Sequence, residues 1–521
     1  MSNISRRKFL KGATLAGAAA MAWRVNPDFL MSSAYAAEGR SLTFYSAENL
    51  TGNWDPSSHS TLAQMNLESF IFGTLTRAPM TVDNPSELRM ELAESLENID
   101  RHTLEIKLKQ GISFHDGQPF TARDVKATFE YASRPDRPAA NYPGVCTVEI
   151  IDDYTCRINT SEADYPASLY LLLSSFLPIM CAEDIEAGRL SSKPNGTGPF
   201  RFVEQRGNNS VLAAFEGYYL GKPKIPELNF VFVGDSNTRV MALLNGEADL
   251  IERLEPEQIS TIQGRADLAL HKLVSVENKY LWFRCSKPPF NDQRLRLAVC
   301  HAIDRDMINE IMGEAGHPCA SHISPVKFGY ADVPDYPEFD PARCQELLAE
   351  AGFPNGQGLP PLDYITSVGF YPKTQEYGEM ITAMLQAQGF PVTLNVMEVA
   401  AWNERLYDRP GGGPGHMIDC GWASGSPEPD LVLRTHFHSS SKRITGIEDA
   451  EIDAALDKEQ GIESLEEREK VIQTETLPLI AAKAPSYALF TSVFFHGMRA
   501  DLQGLFIYPN GQMNASQAAF V

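Results

Sequence analysis

Leu108-Lys109-Gln110-Gly111-Ile112-Ser113-Phe114-His115-Asp116-Gly117-Gln118-Pro119-Phe120-Thr121-Ala122-Arg123-Asp124-Val125 holds a strand end, a tight turn and a helix start in one run. Just before it, Leu104, Ile106 and Leu108 alternate with Thr103, Glu105 and Lys107, the period-two pattern of a half-buried strand. Asp116-Gly117 then predicts a turn. Thr121 is a candidate N-cap, and Asp124 stands where a capping box needs an acid. Val125 and Phe129 give the helix an apolar face at i, i+4.

Outward from this unit, strands and helices stay interspersed. Residues 148–158 read as a hairpin through Asp152-Asp153, and Gly196-Thr197-Gly198-Pro199-Phe200 as a tight turn entering a strand. Residues 237–244 form a predicted helix stopped by Asn245-Gly246, a left-handed C-terminal cap. Leu295, Ala298, Val299 and Ala302 mark another helix. Asp340-Pro341 opens a third and Gly352 closes it. Residues 381–389 are a fourth, followed by a strand over 392–396. At 521 residues the chain is too long for one core, so an α/β protein of more than one lobe is expected.

Several of these segments resemble bacterial solute-binding proteins of the peptide/opine/nickel group, which serve ABC importers. The 108–125 run matches that family's signature nearly residue for residue. Gly196-Thr197-Gly198-Pro199-Phe200, Tyr219-Leu220-Gly221-Lys222-Pro223, Leu243-Leu244-Asn245-Gly246-Glu247-Ala248-Asp249, Pro288-Pro289-Phe290-Asn291-Asp292, Ala302-Ile303-Asp304-Arg305 and Leu347-Leu348-Ala349-Glu350-Ala351-Gly352 follow in family order. The resemblance implies a two-lobed periplasmic binding protein (type II, cluster C) with an extra inserted domain. Lobe 1 would comprise residues 37–50, 166–273 and 487–521, the inserted domain 51–165, and lobe 2 residues 274–486. Crossings near 274–282 and 484–487 would form the hinge. The expected partners are a small-molecule ligand, such as an opine (agrocinopine-type sugar phosphodiesters included) or a peptide-like solute, and an ABC permease in the inner membrane.

The N-terminus reads as an address. Ser5-Arg6-Arg7-Lys8-Phe9-Leu10-Lys11 resembles the twin-arginine export motif, a weakly apolar stretch follows, and Ala34-Tyr35-Ala36 fits a cleavage site. Residues 1–36 are therefore expected to be a signal peptide for the twin-arginine translocase, and the mature protein a periplasmic monomer. Five basic residues against one acid in that segment make it +4, so the mature chain falls from −22 to −26. A surface this acidic disfavours nucleic acid and anionic lipid. The eight cysteines show no metal-type spacing, and a Cys285–Cys420 bridge stays open because the compartment permits disulfides.

Ligand contacts follow from the resemblance one residue at a time. The stretch after Trp54-Asp55-Pro56 carries His59 and Ser60 to the cleft. The first crossing offers Tyr280 and Trp282. Ser367 and Tyr371 lie after a strand of lobe 2, and Trp402 near an aromatic of the side-chain pocket. Gly421-Trp422 matches the Gly-Trp beside the ligand's main chain. Gly413, Asp419, Ser424 and Gly425 complete the set. Peptide-binding relatives carry Gly-Trp-x-x-Asp, whose acid meets the peptide ammonium; here Gly425 replaces it, and Asp419 or Glu428 would have to substitute. An uncharged cleft beside the loop 411–415 suits a sugar-phosphodiester opine. That loop lacks the Gly-Lys-Ser/Thr of a nucleotide site.

Other classes find little support. Gly-x-Ser-x-Gly and His-Glu-x-x-His are missing, and Ser439-Ser440-Ser441-Lys442 lacks the Lys-Thr-Gly partner of penicillin-recognising enzymes. No enzyme and no cofactor is expected. His436 and His438 are the residues a metal or haem receptor would use, though two histidines in such a stretch more often face solvent.

Overall fold

The computed structural model describes residues 39–521, apart from 49, 51, 59–61, 86, 135–145, 161–165, 167–176, 369, 408–414 and 442. The segment read as a signal peptide, His59, Ser60 and Gly413 lie outside the described residues.

The signature run folds as its residues dictate. Thr103–Leu108 is a strand, and the Gly117 amide closes the turn onto the Phe114 carbonyl at 2.9 Å with Gly117 at φ +92°. Thr121 caps the helix Ala122–Ala132 in a complete capping box with Asp124. That helix packs on a four-stranded antiparallel sheet ordered Ala93–Asp100, Thr103–Leu108, Thr155–Thr160, Cys146–Asp152. The turn is also a joint. The His115 amide donates to the Gly196 carbonyl at 2.9 Å, and its ring Nε2 lies 3.0 Å from the Gly198 carbonyl. A Cβ on Gly196 or Gly198 would meet the Ile71 backbone at 2.1 or 2.6 Å. Two motifs distant in sequence are thus one contact, and only glycine fits it. His115 and Asp116 build the turn, as expected.

The helices end where caps were read. Ser236–Asn245 stops at Gly246, left-handed at φ +77°, and Asp340 caps Pro341–Glu350 through the Arg343 amide.

The main sheet has eleven strands among the described residues. At its centre run two long antiparallel partners, Leu268–Phe283 and Ser486–Arg499. Residues 268–274 pair with 493–499, and residues 278–282 with 486–491; between Val274 and Asn278 the register shifts. One half of the sheet grows from the far end of Ser486–Arg499 through Leu250–Ile251, Leu42–Ser46, Glu227–Phe232, Asn209–Ala214 and Phe200–Arg206. The other grows from Leu268–Phe283 through Met417–Trp422, Leu362–Val368 and Val392–Glu398. Parallel pairs in each half, such as 42–46 with 227–232 and 362–368 with 392–398, are the α/β element of the architecture.

All eight cysteines are free and buried. The Cys285–Cys420 bridge does not form, for a geometric reason. Tyr280 stands opposite Cys420, so Cys285 lies five residues further along, roughly 17 Å at 3.3 Å per residue. Its thiol turns instead to the Phe283 and Pro485 carbonyls at 3.6 and 3.7 Å. Burial pushes Cys156, Cys344 and Cys420 up to about 12 and Cys181 and Cys285 to about 11, so thiolate is suppressed. The native protein should therefore leave a thiol reagent such as DTNB unconsumed over minutes, and release eight equivalents once denatured. Rapid native reaction of one or more thiols would contradict this packing.

Candidate functional site

The register shift decides which side chains face each other. In a regular strand, neighbours point to opposite faces. On one face, Asn278, Tyr280 and Trp282 lie opposite Trp422, Cys420 and Ile418. Tyr280 donates its hydroxyl to the His322 carbonyl at 2.8 Å, and Trp282 donates Nε1 to the Cys420 carbonyl at 3.1 Å. The His436 ring sits between Trp282 and Trp422, 4.6 and 4.3 Å from their centroids. Arg443 lies over Trp422 at 4.7 Å, and Trp422 stays half-buried.

The other face holds charge. Lys279 and Asp419, both fully buried, stand 3.0 Å apart, with the Lys279 ammonium 3.3 Å from the Tyr371 ring centroid. Tyr371 donates to the Gly421 carbonyl at 3.2 Å, and Trp402 donates Nε1 to the Asp419 carbonyl at 3.1 Å. Glu277, inside the irregular stretch, accepts the Ser492 hydroxyl at 2.7 Å and lies against Gly421. A Cβ on Gly421 would stand 2.8 Å from the Glu277 Cδ, so the glycine of Gly421-Trp422 makes room for that acid.

Across from these residues, Arg253, left-handed at φ +52°, pairs with Glu48. Glu252 accepts from the Ser46 hydroxyl at 2.7 Å, the Ala47 amide at 2.8 Å and the Asn66 amide group at 3.2 Å. Lys373 pairs with Glu257. The loop after Trp422 is held by its carbonyls. Lys327 donates to Ser424 at 2.6 Å and to Ser426, and Asn510 donates to Gly425 at 2.9 Å. Burial brings Lys327 down to about 7.

A model described as bacterial extracellular solute-binding proteins, family 5 (middle), matches residues 87–443. The chain belongs to this family. Heme-binding protein A of Haemophilus influenzae is 27% identical over 464 residues, 82% of this chain and 83% of its own. Glutathione-binding protein GsiB of Salmonella paratyphi A is 26% identical, covering 82% of this chain and 86% of that one. The structure of MoaA from A. tumefaciens R10 in complex with mannopinic acid superposes with a TM-score of 0.75 at 25% identity, covering 92% and 99% of the two chains. The fold is the two-lobed α/β fold of periplasmic binding proteins, and the chain is a solute-binding protein of the ABC-importer class.

In this family 5 protein, the sequence-derived candidates separate into groups. Tyr280, Trp282 and Trp422 share the His436 face; Tyr371, Trp402 and Asp419 share the Lys279 face. Ser367 and Ser424 are buried, each with a hydroxyl oxygen that finds no hydrogen-bond partner among the described residues. Gly425 is half-buried. The two acids considered as substitutes for the lost carboxylate are both engaged. Asp419 faces Lys279, and Glu428 is gripped by both terminal nitrogens of Arg468 at 2.8 and 2.7 Å. His436 is fully buried rather than on the surface, and no cluster of three or more metal-ligating side chains exists among the described residues. Sequence reasoning passed over Glu277, Lys279, Arg253 and Lys327. The charges of Glu277 and Lys279, directly before the apolar run Tyr280-Leu281-Trp282-Phe283, were the available signal.

Burial lowers His115 and His322 to about 4 and His436 and His496 to about 3. These rings stay neutral in the fold while the unfolded chain binds protons near 6.5. Between pH 6.5 and 4 the unfolded state therefore holds more protons, and stability falls as pH falls, by roughly 1.4 kcal/mol per pH unit for each ring. Urea midpoints measured at pH 7 and 5.5 should drop accordingly; equal midpoints would show the rings already titrate in the fold.

Proposed function

We propose that this protein captures a small polar solute, of the opine or peptide-like kind, at the crossing of its two long strands and hands it to an ABC permease in the inner membrane. The observation that carries the reading is the shared pair of strands. Each strand gives one end to each half of the sheet, and the pairing breaks at residues 275–277, beside Gly421, Trp422, Tyr371 and Arg253. A solute held there would touch both halves and favour their closed arrangement. The bonds from Lys373 to Glu257 and from Asn510 to the Gly425 carbonyl join segments assigned to different lobes, as closure requires. The domain boundaries at 50/51, 165/166, 273/274 and 486/487 belong to this proposal, as do the monomeric state and the absence of turnover.

Small-angle scattering on the purified protein should give a smaller radius of gyration once saturating solute is added, together with a higher melting temperature. A solute that raises the melting temperature but leaves the radius unchanged would place its site within one half.

Delivery to the periplasm is proposed to run through the twin-arginine translocase. Replacing Arg6 and Arg7 together by Lys keeps the charge but removes the guanidinium pair. Cell fractionation should then find the precursor in the cytoplasm. Normal periplasmic yield from the double variant would exclude that route.

A further inference from the structure

Resting on the solute-receptor reading, we propose that the solute carries a protonated amine and that Glu277 receives it. The acid that peptide-binding relatives hold four residues after their Gly-Trp glycine is absent here, since Gly425 stands in its place. The strand crossing supplies a carboxylate from a different element. Glu277 is about nine-tenths buried, and among the described residues its side chain accepts one hydrogen bond, from the neutral Ser492 hydroxyl. Among the described residues no cation forms an ion pair with it; Arg253 feels its charge but pairs with Glu48. A buried carboxylate with one neutral donor has capacity for further donors, and an ammonium offers three.

The surroundings agree in sign. The charged groups facing this wall are Glu48, Glu252 and Glu277 against Arg239 and Arg253, while Lys279 and Asp419 cancel each other. Arg253 is taken by Glu48, and Arg239 spends its nitrogens on the carbonyls of Val233, Gly234, Glu252 and Arg253. A net negative formal charge is left. A second, independent sign comes from Asn66. Its Oδ1 is fully buried beside Glu252 and has no hydrogen-bond partner among the described residues. It too is an acceptor awaiting a donor. A sugar phosphodiester, which Gly425 alone favours, would bring a second anion to this wall; an amine-bearing opine or peptide would not.

The test uses the intact mature protein and a defined probe: a low-molecular-weight tryptone filtrate supplemented with mannopinic acid, before and after treatment with acetic anhydride. Acetylation removes the basicity of primary and secondary amines and leaves the remaining solutes in place. Bound compounds are recovered by rapid gel filtration and identified by mass spectrometry, and each is then titrated by calorimetry. The expected result is capture of amine-bearing compounds from the untreated probe and none from the acetylated one. Glu277→Gln, which keeps the shape and the Ser492 contact, should bind the same compound about tenfold or more weakly at an unchanged melting temperature of the free protein. Equal capture from both probes, or full affinity in Glu277→Gln, overturns the amine assignment and leaves the receptor standing. Capture from neither probe overturns the receptor reading and this assignment with it.

Discussion

The pairing of Leu268–Phe283 with Ser486–Arg499 is the constraint from which the rest of the molecule is built. Strands of 16 and 14 residues are two to three times the usual length, and each serves two half-sheets. A ladder unbroken over that length would lock both halves into one twisted surface. The shift between Val274 and Asn278 removes ladder bonds at the midpoint. It also frees Ser275, Val276 and Glu277 from strict alternation, which is how an acid comes to rest on the backbone of Gly421. Chain flexure and placement of a functional carboxylate share one irregularity.

Charge inside the protein is handled by pairing. Arg468 is fully buried and bridges Glu428 and Glu459, and Lys279 lies against Asp419 and the face of Tyr371. Such pairs contribute little net stability, yet removing one member strands the other at a cost of about 3–5 kcal/mol. They therefore act as fixed fittings that keep the walls of the crossing in place. Among the described residues Glu277 is not part of any such pair, and the proposed solute would complete one there.

Local chemistry was legible in the sequence wherever backbone rules decide it. The Asp116-Gly117 turn, the Thr121–Asp124 box, the Asn245-Gly246 stop and the Asp340 cap all formed at the residues read. Side-chain roles at the site were less legible, because they depend on which face of a strand a residue takes. Tyr280, Trp282 and Trp402 were all read as ligand contacts, yet alternation sends the first two to His322 and His436 and leaves Trp402 with Tyr371 on the opposite side. Glu277 and Lys279 drew no reading at all, since nothing in one dimension shows that the strand is central and covered on both faces. Cys420 does lie in a strand, but Cys285 falls two residues past the end of Leu268–Phe283, and the register that separates the two is a property of the pairing alone.

The eight buried thiols carry a consequence for the order of events in the cell. Eight thiols admit 105 complete pairings, and this fold uses none of them. In an extended chain all eight would be open to oxidation, and every product would be off the path to the native state. Once the core has closed, each sulfur is shielded and held in its unreactive form. Folding is then the antioxidant: a chain that closes its core before it meets an oxidant keeps all eight sulfurs as thiols, and one that meets the oxidant first does not.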